Sequence, residues 1–197
     1  MKSRLLGITG GICSGKTTIA GFFRDMGATV LDADKIVHRL YEKDRKIKKD
    51  VLRKFGNGVF TGKKIDRKRL AAEVFGSEQK LRELCGIIYP AAIKKIKEES
   101  RKRKAAVVVI DAPLLIEAGL LDLVDYALVV RANLKKRAQR ASKRGLSRRD
   151  FLARHRLQMP FTEKKKYADF IINNNRSKRD VKKETRRIWE LLKKKQS

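Results

Sequence analysis

Leu5-Leu6-Gly7-Ile8-Thr9, followed at once by Gly10-Gly11-Ile12-Cys13-Ser14-Gly15-Lys16-Thr17, is the stretch that decides the fold. The first segment is a short apolar run and reads as a strand. The second has the spacing G-x-x-x-x-G-K-[ST] of a phosphate loop. Its glycines let the chain curl so that successive backbone N–H groups point inward, and the positive end of a following helix completes an anion nest. That helix is present in the pattern. Ile19, Phe22, Phe23 and Met26 recur at i, i+3, i+4 and i+7, an amphipathic helix over residues 17–26, with Gly27 at its stop. Lys16 then reaches the β- and γ-phosphates of a nucleoside triphosphate, and the Thr17 hydroxyl ligates Mg²⁺.

Working outward, residues 28–31 read as a second strand running into Asp32-Ala33-Asp34. Residues 105–110 are a continuous Val/Ile run, as expected of a strand buried on both faces. Residues 126–130 and 170–172 add two more strands, the last closed by Asn173-Asn174-Asn175. Strands alternating with helical patterns predict one α/β domain built on a five-stranded, mostly parallel sheet. Residues 35–104 are helical, charged and irregular. Gly56-Asn57-Gly58 and Thr61-Gly62 signal turns, and Tyr89-Pro90 predicts a helix boundary or kink. This stretch exceeds what one crossover helix needs and reads as an inserted helical region. Asn133 caps a basic helix running to about Arg144, with Gly145 at its end, and Ser147-Arg148-Arg149-Asp150 is a weak capping box opening another. Val181, Thr185, Ile188 and Leu192 mark one face of a C-terminal helix.

The balance of 51 Lys and Arg against 22 Asp and Glu gives a net charge of +29 in 197 residues. Anionic partners follow from that charge, as does a repulsive, solvated surface. The basic clusters, Arg101-Lys102-Arg103-Lys104, Lys164-Lys165-Lys166, Lys182-Lys183 and Lys193-Lys194-Lys195, lack the interleaved aromatics of a single-strand stacking platform. No apolar run approaches the roughly 18 residues of a membrane span. The run after Met1-Lys2-Ser3-Arg4 is too short for a secretory signal, which predicts a cytoplasmic protein. Cys13 and Cys85 are too few for a disulfide framework. Cys13, near a helix N-terminus and Lys16, either fills space in the loop or carries a thiol pushed toward thiolate.

Ligands in open parallel sheets bind outside the carboxyl ends of the strands. Asp32 and Asp34 stand at one such end, where one carboxylate accepts a hydroxyl proton and another holds Mg²⁺ through water; Asp also favours turns and caps. Asp111 ends the strongest strand, the place for a further Mg²⁺-side carboxylate, and Pro113 and Leu114 follow as pocket-lining candidates. Arg137, Arg140 and Arg144 fall at i, i+3 and i+7, and Arg154 lies on the next helix. Phosphoryl transfer spreads charge over equatorial oxygens, so this basic hairpin reads as a lid or, alternatively, as a solvated basic face.

Taken together, GITGGICSGKTT (7–18), LDADKIVHRL (31–40), VIDAPLLIEAGL (109–120), RLQMP (156–160) and ADFIINN (168–174) resemble, in that order, the dephospho-coenzyme A kinase family. The resemblance covers nearly the whole chain. It implies a P-loop kinase fold with a core (1–34, 105–131 and 161–197), a helical substrate-binding region (35–104) and a lid (132–160). It implies transfer of the ATP γ-phosphoryl group to the ribose 3′-hydroxyl of dephospho-coenzyme A, the last step of coenzyme A synthesis. Residues 10–18, namely Gly10, Gly11, Ile12, Cys13, Ser14, Gly15, Lys16, Thr17 and Thr18, would hold ATP·Mg²⁺. Asp34 matches the family's catalytic base and Arg140 its nucleotide-contacting lid arginine, with Arg144 and Arg154 as helpers. Asp32, His38, Pro113 and Leu114 fall on the acceptor side, and Thr17 and Asp111 on the metal side. His155 reads as structural. Cys13 stands where the family usually has Gly, and Tyr89 where it usually has His. Another small-molecule P-loop kinase, or an ATPase that binds nucleic acid, is the alternative reading. For the kinase, nucleic acid is expected only as a non-specific electrostatic partner.

Overall fold

Strand β1, Arg4–Gly10, is buried over its last five residues and stands at the centre of the sheet. The computed structural model describes residues 3–74, 77–102 and 105–194; Met1-Lys2, Arg103-Lys104 and Lys195 of the segments quoted above lie outside the described residues. The chain divides into two units, Met1–Asp32 with Lys97–Ser197, and Ala33–Ile96.

In the first unit, β1 is followed by helix α1, Lys16–Asp25, and strand β2, Thr29–Asp32. Strands β5 (Val107–Asp111), β6 (Tyr126–Arg131) and β7 (Phe170–Asn173) complete a sheet of order β2-β5-β1-β6-β7. Every pairing is parallel. β1 lies between β5 and β6, so the chain winds to one side of β1 for β5 and β2 and to the other for β6 and β7. That reversal opens a crevice at the carboxyl end of β1, where the phosphate loop emerges.

The core has the residues the patterns demand. Leu6, Ile8, Val107, Val109, Leu128 and Ile172 from the strands pack with Ile19 and Phe23 of α1. Val181, Ile188, Trp189 and Leu192 of the last helix, α9 (Lys178–Lys194), join them. Gly7 is on β1 because a Cβ there would sit 2.6 Å from Leu115 Cδ2, whose side chain closes over the strand. β5 is buried at every position, as its unbroken Val/Ile run predicts.

Between β6 and β7 lie helices α6 (Leu134–Ser142), α7 (Arg148–Arg156) and α8 (Phe161–Lys164). Asn133 caps α6 by accepting from Lys136 N at 2.8 Å. Gly145 follows α6, which ends two residues earlier than the spacing suggests. Ser147 caps α7 by accepting from Asp150 N at 3.1 Å, and its hydroxyl donates to Asp150 Oδ2 at 2.7 Å. The shorter Asp therefore bonds the capping hydroxyl, whereas the Glu of a capping box reaches the cap's backbone N–H.

The second unit comprises α2 (Ala33–Lys43), α3 (Arg45–Phe55), a hairpin of β3 (Phe60–Thr61) and β4 (Lys64–Ile65), α4 (Arg67–Val74) and most of α5 (Glu78–Arg101). Its core joins Ile47, Val51, Val59, Leu70 and Val74 to Leu84, Ile88 and Ala92 of α5. Those last three continue one face straight through Pro90, which lies inside the helix. The boundary expected at Tyr89-Pro90 is absent. Proline costs about 3 kcal/mol inside a helix, and burial of Ile88 and Ala92 on either side offsets it.

Phe23 of α1 is fully buried in the core that α1 shares with the sheet and α9. Phe23→Ala will lower the unfolding free energy by about 3–5 kcal/mol, measured as a shift of the urea midpoint at constant m-value.

Candidate active site

The loop after β1 adopts the geometry its glycines permit. Gly10 has φ 147°, and a Cβ there would sit 2.5 Å from the Val130 carbonyl oxygen. Gly15 has φ 99°, and a Cβ there would run into Asn174 Nδ2. Cys13 has φ 58°, the left-handed region that suits glycine, the residue usual there in the family it resembles. The Cys13 thiol is partly exposed. Ser14 Oγ is buried and has no hydrogen-bond partner among the described residues. Lys16 is 8% exposed and its Nζ donates to Gly10 O at 3.0 Å and Gly11 O at 3.3 Å.

Two carboxylates are brought beside the loop's sheet edge by strand register. Asp32 and Asp111, the last residues of β2 and β5, are paired. Asp111 is buried, and Thr17 Oγ1 donates to its Oδ2 at 3.1 Å. A hydroxyl and a carboxylate this close are hard oxygen donors of the kind Mg²⁺ takes, with water and phosphate supplying the rest. Pro113 and Leu114, in the segment after β5, are half-buried. The Pro113 carbonyl accepts from Thr9 Oγ1 at 3.0 Å.

Helix α6 and the residues after α7 are tied to the backbone of the loop. Arg140 donates to Ser14 O at 3.0 Å, Cys13 O at 3.4 Å and Asn174 O at 3.1 Å. Asn174 Nδ2 donates to Ser14 O at 2.6 Å. Arg137 donates from Nε to Ile12 O at 3.0 Å, and Gln158 Oε1 accepts from Ile12 N at 2.6 Å. Arg137 is buried, and its guanidinium carbon lies 5.8 Å from the centre of the Phe151 ring. The helical spacing groups Arg137 with its neighbours but does not single it out, and the structure puts it on the loop. Arg144 and Arg154 are exposed. A narrow, partly open recess is lined by Gly10, Gly11, Val130, Arg137, Gln158 and Lys164, among others.

Lys164 is the residue the sequence conceals. It reads there as one member of a basic run, with no local sign of burial. In the structure it is 1% exposed, and its Nζ donates to Thr9 Oγ1, Pro113 O and Glu117 Oε2 at 3.0–3.1 Å. Burial pulls the Lys164 ammonium below its ordinary range, and the Glu117 carboxylate pulls it back.

Asp34 lies in the first turn of α2 and is exposed. His38 stands one turn on, its Nδ1 3.6 Å from the Glu42 carboxylate at the next turn. Further along the second unit, burial pushes the Cys85 thiol up, against a hydrogen bond from Tyr89. No helix among the described residues is long and apolar enough to cross a membrane.

Residues 4–180 match the family described as Dephospho-CoA kinase. The dephospho-CoA kinase of Aquifex aeolicus is 40% identical over 189 residues, 95% of this chain and 96% of that protein. Among solved structures, a Thermus thermophilus protein superposes with a TM-score of 0.85 at 33% identity, covering 97% of this chain and 98% of that one. The dephospho-CoA kinase from Campylobacter jejuni superposes with a TM-score of 0.59 at 26% identity, covering 98% and 100%.

His155 gives the contact between α6 and α7 a measurable pH dependence. Its Nδ1 lies 3.1 Å from Arg137 Nη2. An arginine only donates, so His155 accepts at Nδ1 and is neutral. Burial first, and the charge of Arg137 second, hold its pKa below 6.5. A depressed histidine pKa means the unfolded chain binds the proton more readily. The contribution is complete above the ordinary value and is lost as pH falls through the lowered one. A proton NMR titration will place the His155 midpoint below 6.5, and Arg137→Gln will move it upward.

Proposed function

The chain belongs to the dephospho-CoA kinase family, and we propose that it transfers the γ-phosphoryl group of ATP to the ribose 3′-hydroxyl of dephospho-coenzyme A with Mg²⁺ beside the nucleotide. It is an ATP-dependent phosphotransferase of the P-loop kinase fold, acting at the final step of coenzyme A synthesis. The observation that carries the reading is the convergence, at one end of the parallel sheet, of the glycine loop, Lys16, the Thr17–Asp111 pair and the Arg140 clamp.

In this reading residues 10–18 hold the triphosphate on their backbone N–H groups and the N-terminus of α1. Lys16 exchanges its loop carbonyls for β- and γ-phosphate oxygens. Thr17 and Asp111 would hold Mg²⁺, which would supply charge that neutralises the phosphates. Asp34 orients the 3′-hydroxyl and accepts its proton as the new P–O bond forms. Asp32, His38, Pro113 and Leu114 are assigned to the acceptor, whose binding falls to residues 35–104. Arg140, helped by Arg144 and Arg154 within the lid (132–160), stabilises charge on the equatorial oxygens in transfer. Support for Asp34 comes from the chain path. β2 ends at Asp32, in register with Asp111, and passes into α2 with no intervening loop, which leaves Asp34 two residues beyond the sheet's carboxyl edge. A cytoplasmic location suits these substrates, and a net charge of +29 supplies non-specific, salt-sensitive affinity for nucleic acid.

ADP release that depends on added dephospho-coenzyme A, with a product heavier by one phosphate, tests the assignment; its absence overturns it. Asp34→Asn will lower kcat by about 10²–10⁴-fold, the usual worth of a general base. Its ATP affinity, measured by calorimetry, will stay near that of the unmodified protein.

A further inference from the structure

We propose that Lys164 and Glu117 form a positioning clamp that fixes the phosphate loop against the segment following Asp111. The clamp rests on the kinase reading above but acts through geometry described independently of the acceptor. Thr9 is the last strand residue before the loop's first glycine, and Pro113 lies two residues beyond Asp111, the acceptor of the Thr17 hydroxyl. The Lys164 ammonium touches both.

The hydrogen-bond inventory is closed. An ammonium has three donors. Here they meet Thr9 Oγ1 at 3.1 Å, Pro113 O at 3.0 Å and the Glu117 carboxylate at 3.0–3.1 Å. The Thr9 hydroxyl accepts from lysine and passes its own proton to Pro113 O at 3.0 Å, which makes a three-membered ring of contacts. Glu117 Oε1 also accepts from Met159 N at 2.9 Å. The chain next to Met159 grips the loop through Gln158 and Ile12 N. The clamp therefore joins three segments: the strand leading into the loop, the segment after β5, and the return from the lid.

A buried ion pair is weak evidence for stability, since apolar residues of similar volume often replace it without loss. A charged lysine at 1% exposure beside the nucleotide loop calls for another role. Positioning supplies one. Phosphoryl transfer is accelerated mainly by placement of charges, and small misplacements cost large factors in rate.

Two variants test the clamp. Glu117→Gln keeps the side-chain length and an acceptor oxygen, and leaves Lys164 on Thr9 and Pro113. The double variant Lys164→Met/Glu117→Gln removes the charges and the bridge while filling the same space. The double variant is expected to melt within a few degrees of the unmodified protein. Its kcat will fall at least tenfold, its KM for dephospho-coenzyme A will be unchanged, and its calorimetric affinity for ATP will be several-fold weaker. The single variant, which keeps the ammonium on Thr9 and Pro113 but removes its counter-charge, will lower kcat by less than the double variant does. A double variant with unmodified kcat and ATP affinity overturns the clamp, as does one that fails to fold, since the pair would then serve stability alone. Equal impairment of single and double also overturns it. Lack of turnover by the unmodified protein would sink the kinase reading instead, and the ATP affinities would still decide the clamp.

Discussion

A loop that turns its amide groups inward to receive an anion must turn its carbonyls outward, and every outward carbonyl needs a donor. Lys16 serves Gly10 and Gly11, Arg137 serves Ile12, and Arg140 serves Cys13 and Ser14 with Asn174. Thr18 N and Ile19 N take the Gly15 carbonyl. A buried acceptor left without a partner costs about 1–3 kcal/mol, so these side chains are required by the loop's shape before any substrate arrives. Helices far along the chain from the loop thus hold its backbone in place.

Much of this was legible in the residues themselves. Strand, glycine loop and helix in immediate succession specify both the sheet's central strand and the loop's chemistry. The caps at Asn133 and Ser147 lie where their neighbours predict. Legibility failed where the decisive partner is distant in sequence. Pro90 signals a break, and only the packing of Leu84, Ile88 and Ala92 against the second unit's core carries the helix through it. The hairpin Phe60–Thr61 with Lys64–Ile65 hides in a charged stretch because each strand has two residues, too few for an alternating pattern. Arg137 and Lys164 have the same local context as their exposed basic neighbours. Their partners Ile12, Thr9 and Pro113 come from other parts of the chain, and periodicity within a helix cannot report them.

The surplus of positive charge divides into two populations. A few cations are buried and hydrogen-bonded at the loop. Many more coat the surface, as on α9, where Lys178, Arg179, Lys182, Lys183, Arg186 and Arg187 are exposed while Val181, Thr185, Ile188 and Leu192 face the core. The outer set is screened by salt within about 8–10 Å. The inner set is screened far less.

The central place of β1 has a consequence for biosynthesis. Leu5 hydrogen-bonds beside Val108, and Leu6 beside Tyr126. β1 therefore acquires neither neighbour until β5, about 100 residues further along, has been made. At about 5–20 residues per second, the apolar segment ahead of the glycine loop waits for roughly 5–20 seconds in the open.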